Sequence, residues 1–139
     1  MSGASQQDAM VLLELGRISA IRGMPSPLSW LSGAEFDREY SSFRRKFPPG
    51  TDMYDTAMTI VQHFDTLGVL WKHGLVNEDL AYDWAPVELV WERLHSFVIG
   101  VREELHAPTF GAHFEMMARA EVGIEAVGVE QRLGTAAPV

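Results

Sequence analysis

Apolar residues recur along most of this chain at helical spacing. Val11, Leu15 and Ile18 stand at i, i+4 and i+7, Leu12 widens the stripe, and Met10 and Leu13 fall outside it. That spacing puts side chains on one face of a 3.6-residue helix. Ser5 with Asp8 three residues later resembles a helix start, and Gly23 a stop, so the first helix is expected to reach about Arg22. Met24 to Trp30 carries two prolines and is read as a loop. Ser32 and Glu35 fit a capping box for a second helix, on which Phe36, Tyr40, Phe43 and Phe47 share a face until Pro48-Pro49-Gly50 ends it. Thr51 or Asp52 caps a third helix, reaching His73, with Ile60, Phe64, Leu67 and Trp71 in the same rhythm. Gly74 closes that helix and Asn77 caps a short one from Glu78 to about Trp84. Pro86 opens a further helix to about Leu105. Val87, Val90, Trp91, Leu94, Val98, Val101 and Leu105 line its face, Trp91 is the largest group near the middle, and Phe97 and Ile99 flank it. After Pro108 a last helix is expected from about Thr109 to Ala120, with Phe110, Phe114 and Met117 inward.

No segment alternates as a half-buried strand does. The expectation is therefore an all-α protein, a compact bundle of about five to six helices with no sheet. Residues 1–123 are expected to form a single helical domain. From 124 to 139 the pattern fails, and that stretch is read as a flexible or loosely packed C-terminal tail. A chain of 139 residues can bury roughly two thirds of its unfolded surface, enough for one core without staples.

Composition narrows the functional classes. The formal net charge is −8, from 19 acidic and 11 basic residues. A surface of that balance repels phosphate backbones, so no nucleic-acid partner is expected. The one dense basic cluster, Arg44-Arg45-Lys46, fans around a helical turn and makes no groove-reading face. The absence of cysteine excludes disulfides, thiolate nucleophiles and Cys-based metal sites. No run approaches the ~20 apolar residues of a membrane span, and Met1 to Asp8 has no basic n-region, so no span or signal peptide is expected and the chain is read as cytoplasmic.

Few side chains suggest chemistry. Glu92 and His95 place a carboxylate and an imidazole on one helical flank. Di-iron bundles use two such pairs; one pair at this spacing is cheap in a Glu-rich helix, so these are the only candidate metal ligands, and a solvated flank is the preferred reading. No cofactor is expected. His63 lies beside the apolar stripe, while His73 and His106 sit at helix ends, where a cation suits the dipole. His113 and Glu115 bracket Phe114 and are expected to cap or bridge neighbouring helices. Four tryptophans are many for this length. Trp71, Trp84 and Trp91 could line an aromatic ligand pocket with His63 or His95 as its polar group, but indoles at helix crossings are more often core anchors.

One set of short motifs resembles a known family. It runs from Thr59 to about Ala120: Val61-Gln-His-Phe-Asp65, Gly68-Val-Leu-Trp71, His73-Gly-Leu-Val76, Asn77-Glu-Asp-Leu80, Val90-Trp-Glu-Arg-Leu94, Val101-Arg-Glu-Glu104 and His113-Phe-Glu115. These are similar to the bacterial helical family called domain of unknown function 4760, with Phe64-Asp65 where that family tends to show Phe-Glu. The resemblance implies a helical fold. Members are often anchored to membranes by N-terminal helices, and this chain departs from that, since its first helix is neither long nor apolar enough. The family has no established activity, so the resemblance brings no catalytic residue.

Two functional classes follow. The first is a non-enzymatic interaction or scaffold module that binds a protein partner or forms a homodimer, the commonest closed assembly, with Phe97 and Ile99 beside the Leu94 face as its expected apolar patch. The alternative is a small-molecule binder or enzyme with its pocket at His63, Trp71, Trp84 and Trp91. That alternative calls for a cavity of roughly 300 Å³ or more with a histidine in its wall.

Overall fold

The computed structural model of the chain describes residues 3–136, with side chains as far as Ile124. The described residues form seven helices and no strand. These are α1 (Gln6–Ile21), α2 (Pro27–Leu31), α3 (Tyr40–Lys46), α4 (Asp52–Lys72), α5 (Glu78–Trp84), α6 (Val87–Glu104) and α7 (Ala112–Ala136).

Helix ends follow local chemistry. At α1 the Ser5 hydroxyl accepts the Asp8 N–H at 3.1 Å, and the Asp8 carboxylate accepts the Ser5 N–H at 2.7 Å, a complete capping box. Asn77 accepts the Leu80 N–H at 2.9 Å to start α5. Gly74 adopts φ +69°, a left-handed conformation glycine enters without penalty. This lets the Leu75 N–H reach back to the Leu70 carbonyl at 2.9 Å and satisfy an otherwise unpaired helix end.

The structure departs from the pattern reading in four places. Pro27 begins the short α2 inside the expected loop, since its fixed φ suits a first turn. The second expected helix starts eight residues after Ser32, at Tyr40, with Glu39 as its cap. The intervening backbone bends so that the Phe36 ring meets both Trp30, at 5.3 Å, and Phe43, at 5.1 Å. There the Tyr40 N–H bonds the Ser96 hydroxyl on α6 at 3.1 Å rather than a helical carbonyl. α6 ends at Glu104 and leaves Leu105 54% exposed. Finally, α7 continues past Gly123 to Ala136. The loose packing expected of residues 124–139 concerns side chains that, beyond Ile124, lie outside the described residues.

Packing is organised around α4, α6 and α7. Ile60, Val61, Phe64 and Leu67 of α4 meet Val90, Leu94, Val98 and Val101 of α6 and Phe114 and Met117 of α7 in one cluster. Phe97, expected on the flank, is 1% exposed and central to a second aromatic group. Its ring lies 5.6 Å from Tyr40, 5.8 Å from Phe43 and 5.4 Å from Tyr54. Trp91, expected at the middle of the buried face, is only partly covered, its edge against Phe114 at 5.2 Å. No polar or charged side chain among the described residues is fully buried. The polar chemistry of this fold therefore lies at its surface and at its helix joints.

Candidate functional site

The best-built polar cluster lies where α7 begins. Its first N–H groups have no partners within the helix. Asp65, on α4, supplies one: its Oδ1 accepts from the His113 N–H at 2.9 Å and the Phe114 N–H at 3.0 Å. A carboxylate there also meets the positive end of the helix dipole. One turn on from Asp65, Gly68 lets the two backbones touch. A Cβ at Gly68 would fall 2.6 Å from both the carbonyl carbon and oxygen of His113. The Phe64 and Phe114 rings stack beside this crossing at 5.1 Å. On the far side, Arg102 of α6 donates to the Phe110 carbonyl at 2.7 Å and pairs with Glu115 at 2.9 Å. Glu115 also pairs with Arg119 at 2.6 Å. Partial burial pushes the Glu115 carboxyl up, but hydrogen bonds and charge from Arg119 and Arg102 outweigh it and hold the pKa below its ordinary value. Asp65 and Arg102 each reach from another helix to the start of α7, and the chemistry of the joint is that of a clamp.

His63 occupies a shallow cleft between α1 and α4. With Ser19, Arg22, Met24, Thr59 and Thr66 it lines about 130 Å³. Its ring leans on Trp84 of α5 at 5.9 Å. Burial pushes its pKa below 6.5, and the nearby Arg22 charge adds to this. A histidine with a depressed pKa takes up its proton more readily when unfolded. Its contribution to stability is thus present above about pH 6.5 and lost as pH falls through the folded value. The carboxylates held low, Asp8, Glu14, Glu39 and Glu115, start from 3.8 or 4.5 and act in a more acidic window. Urea midpoints taken at about pH 7.5 and about pH 5.5 should therefore fall on acidification. The fall should shrink in His63→Gln; an equal fall in both proteins would exclude the buried imidazole as its source.

The other expected site residues are dispersed. Trp71 donates its indole N–H to Glu78 at 3.1 Å. Trp84 is 37% exposed and covers Gly16, where a Cβ would sit 3.8 Å from its ring. Trp91 borders a different recess, of about 260 Å³, with Glu88, Ala118, Arg119 and Val122. The three indoles thus serve three separate contacts. Glu92 faces Arg38 at 3.4 Å, and His95 Nδ1 lies 2.9 Å from the Glu92 carbonyl. No group of three or more potential metal ligands occurs among the described residues. No helix among them is long and apolar enough to cross a membrane.

The strongest surface feature is on α1. Leu12 and Leu15 bury its inner side, and Asp8 ties its start to α5 by accepting the Asn77 N–H at 2.9 Å. The outer side is also apolar: Met10, Leu13 and Ile21 are 68%, 70% and 71% exposed. Beside Met10 runs a groove of about 570 Å³, lined also by Gln7, Val11, Glu14, Leu15 and Leu70.

A family model described as "Domain of unknown function (DUF4760)" matches residues 6–120. The chain belongs to this family. No curated protein and no solved structure matches it. The DUF4760 match begins with the first residue of α1 and takes in every helix, ending within α7. α1 is thus part of the family domain rather than an appendage. Several motifs that carried the resemblance meet at one place in space. Phe64-Asp65, Gly68, Arg102 and His113-Phe-Glu115 together build the α4–α6–α7 clamp. Sequence reasoning expected His113 and Glu115 to cap or bridge helices, and Glu115 does bridge α6 and α7. It missed Asp65 and Arg102, because a cap supplied from 48 residues away has no local spacing to reveal it. It also passed over the outer face of α1, whose signal was present: Met10 and Leu13 fell outside the inward stripe.

Proposed function

We propose that this domain is a helical interaction module that self-associates through the outer face of α1. One observation carries the reading: three large apolar side chains, each about two thirds exposed or more, share a single helix face, and one of them, Met10, borders an apolar groove. Large apolar side chains left exposed together on one face of a small domain usually mark an interface. Burying a side chain of this size contributes about 1.5–3 kcal/mol. The occupant is a second copy of the chain, because a two-fold homodimer is the commonest closed assembly. The alternative, a small-molecule pocket, has less support: the His63 cleft at about 130 Å³ is well under the roughly 300 Å³ expected of such a site.

Multi-angle light scattering at about 10–100 μM, where a dissociation constant in the micromolar range is read, tests the reading. The wild type should give a dimer mass. Leu13→Asp, on an exposed position, should give a folded monomer. A wild type that stays monomeric throughout would remove the proposal.

A further inference from the structure

The outer face of α1 has an internal symmetry that its core face lacks. At about 100° per residue, Leu13, Arg17, Met10, Ile21, Glu14 and Ile18 fall in that angular order within an arc of roughly 140°, opposite Leu12 and Leu15. Turned end for end about the midpoint between Leu15 and Gly16, the face maps onto itself: Met10 onto Ile21, Leu13 onto Ile18, Glu14 onto Arg17. Apolar positions land on apolar positions and the acid lands on the base.

We infer that two copies of the chain pair α1 against α1 in antiparallel orientation, with Glu14 of each protomer facing Arg17 of the other. This rests on the self-association reading above and adds its geometry. A parallel pairing would set Glu14 against Glu14 and Arg17 against Arg17, a like-charge contact at the centre of an otherwise apolar face. The antiparallel pairing replaces both repulsions with attractions. Within one protomer the two side chains already meet, Arg17 Nε at 3.0 Å and Nη2 at 2.5 Å from Glu14, while remaining 63% and 53% exposed. That bond holds both groups on the outer face and uses one edge of the guanidinium. The Nη1 edge stays available to a second carboxylate, so two such pairs can close into a ring of alternating charge. The apolar side chains at either end of the face then exclude water from that ring.

The arrangement is tested by charge reversal, read by sedimentation equilibrium with circular dichroism confirming the fold. Glu14→Arg and Arg17→Glu should each weaken homodimerisation by about tenfold or more, the scale at which like charges meeting in an interface act. The double variant should recover it. The two single variants mixed one to one should form a heterodimer tighter than either homodimer. Because the chain has no cysteine, a disulfide test is free of background. Met10→Cys mixed with Ile21→Cys should yield the mixed disulfide in preference to either symmetrical one. If Leu13→Asp abolishes the dimer while both charge variants dimerise as the wild type does, the interface is α1 but the antiparallel register is wrong. If Leu13→Asp also leaves a dimer, both readings fail.

Discussion

Phe97→Ala is expected to destabilise the fold by about 3–5 kcal/mol, the range for deleting a buried large aromatic side chain. The ring is 1% exposed and touches three others, on α3 and α4, each within 5.8 Å. Beyond the area it removes from water, each edge-to-face pair contributes about 0.5–1.5 kcal/mol. The rings around it are themselves held in place. Tyr40 is held by its N–H bond to Ser96 and by its hydroxyl, which donates to Glu104 at 3.1 Å. Tyr54 and Phe43 are themselves buried. Trp91→Ala, though it deletes a larger group, should cost clearly less, because that indole is partly solvated and borders an open recess. Paired urea melts give the order. A costlier Trp91→Ala would mean that the α6 face is assigned the wrong way round.

Gly68→Ala is the second large effect, and there two contributions oppose each other. Replacing glycine by alanine inside a helix favours the helix by about 1 kcal/mol. The added methyl, however, would stand 2.6 Å from two backbone atoms of His113, which cannot rotate away as a side chain could. Overpacking of this kind costs about 1–3 kcal/mol and sometimes more. Any retreat of α7 also stretches the two N–H bonds to Asp65, a cap of a class that contributes about 1 kcal/mol. The expected net loss is about 2 kcal/mol, read from the shift in urea midpoint. Gly16→Ala on α1 is the control, since its Cβ would meet only Trp84 at an ordinary 3.8 Å. It should be neutral or stabilising. If Gly68→Ala behaves the same way, α4 and α7 are not in the close contact described.

Both changes act on packing that joins helices distant in sequence. The proposed interface differs, because its determinants lie within a single helix. Its pattern was legible from the start as Met10 and Leu13 outside the inward stripe. What could not be read was whether a neighbouring helix covers them, and the structure leaves them open.

The all-α class, most helix boundaries and the inward face of α4 were legible in the chain's own pattern. These depend on interactions a few residues long: caps at Ser5, Thr51 and Asn77, stops at Gly23 and Gly74, and apolar spacing matched to the helical turn. Tertiary structure alone decided which edge of a broad apolar face is buried. On α6, Trp91 and Phe97 lie about 60° to either side of Leu94, and periodicity treats them alike. The Phe97 side meets α3 and α4 and is sealed, while the Trp91 side meets α7 and stays partly open. Tertiary structure also decided that Phe36 leaves its expected helix, since stacking on Trp30 and Phe43 is available only once α2 and α3 are in place. The start of α7 follows the same rule. Its N–H groups are satisfied by Asp65, and no local motif could show that a carboxylate so far away in the chain would arrive there.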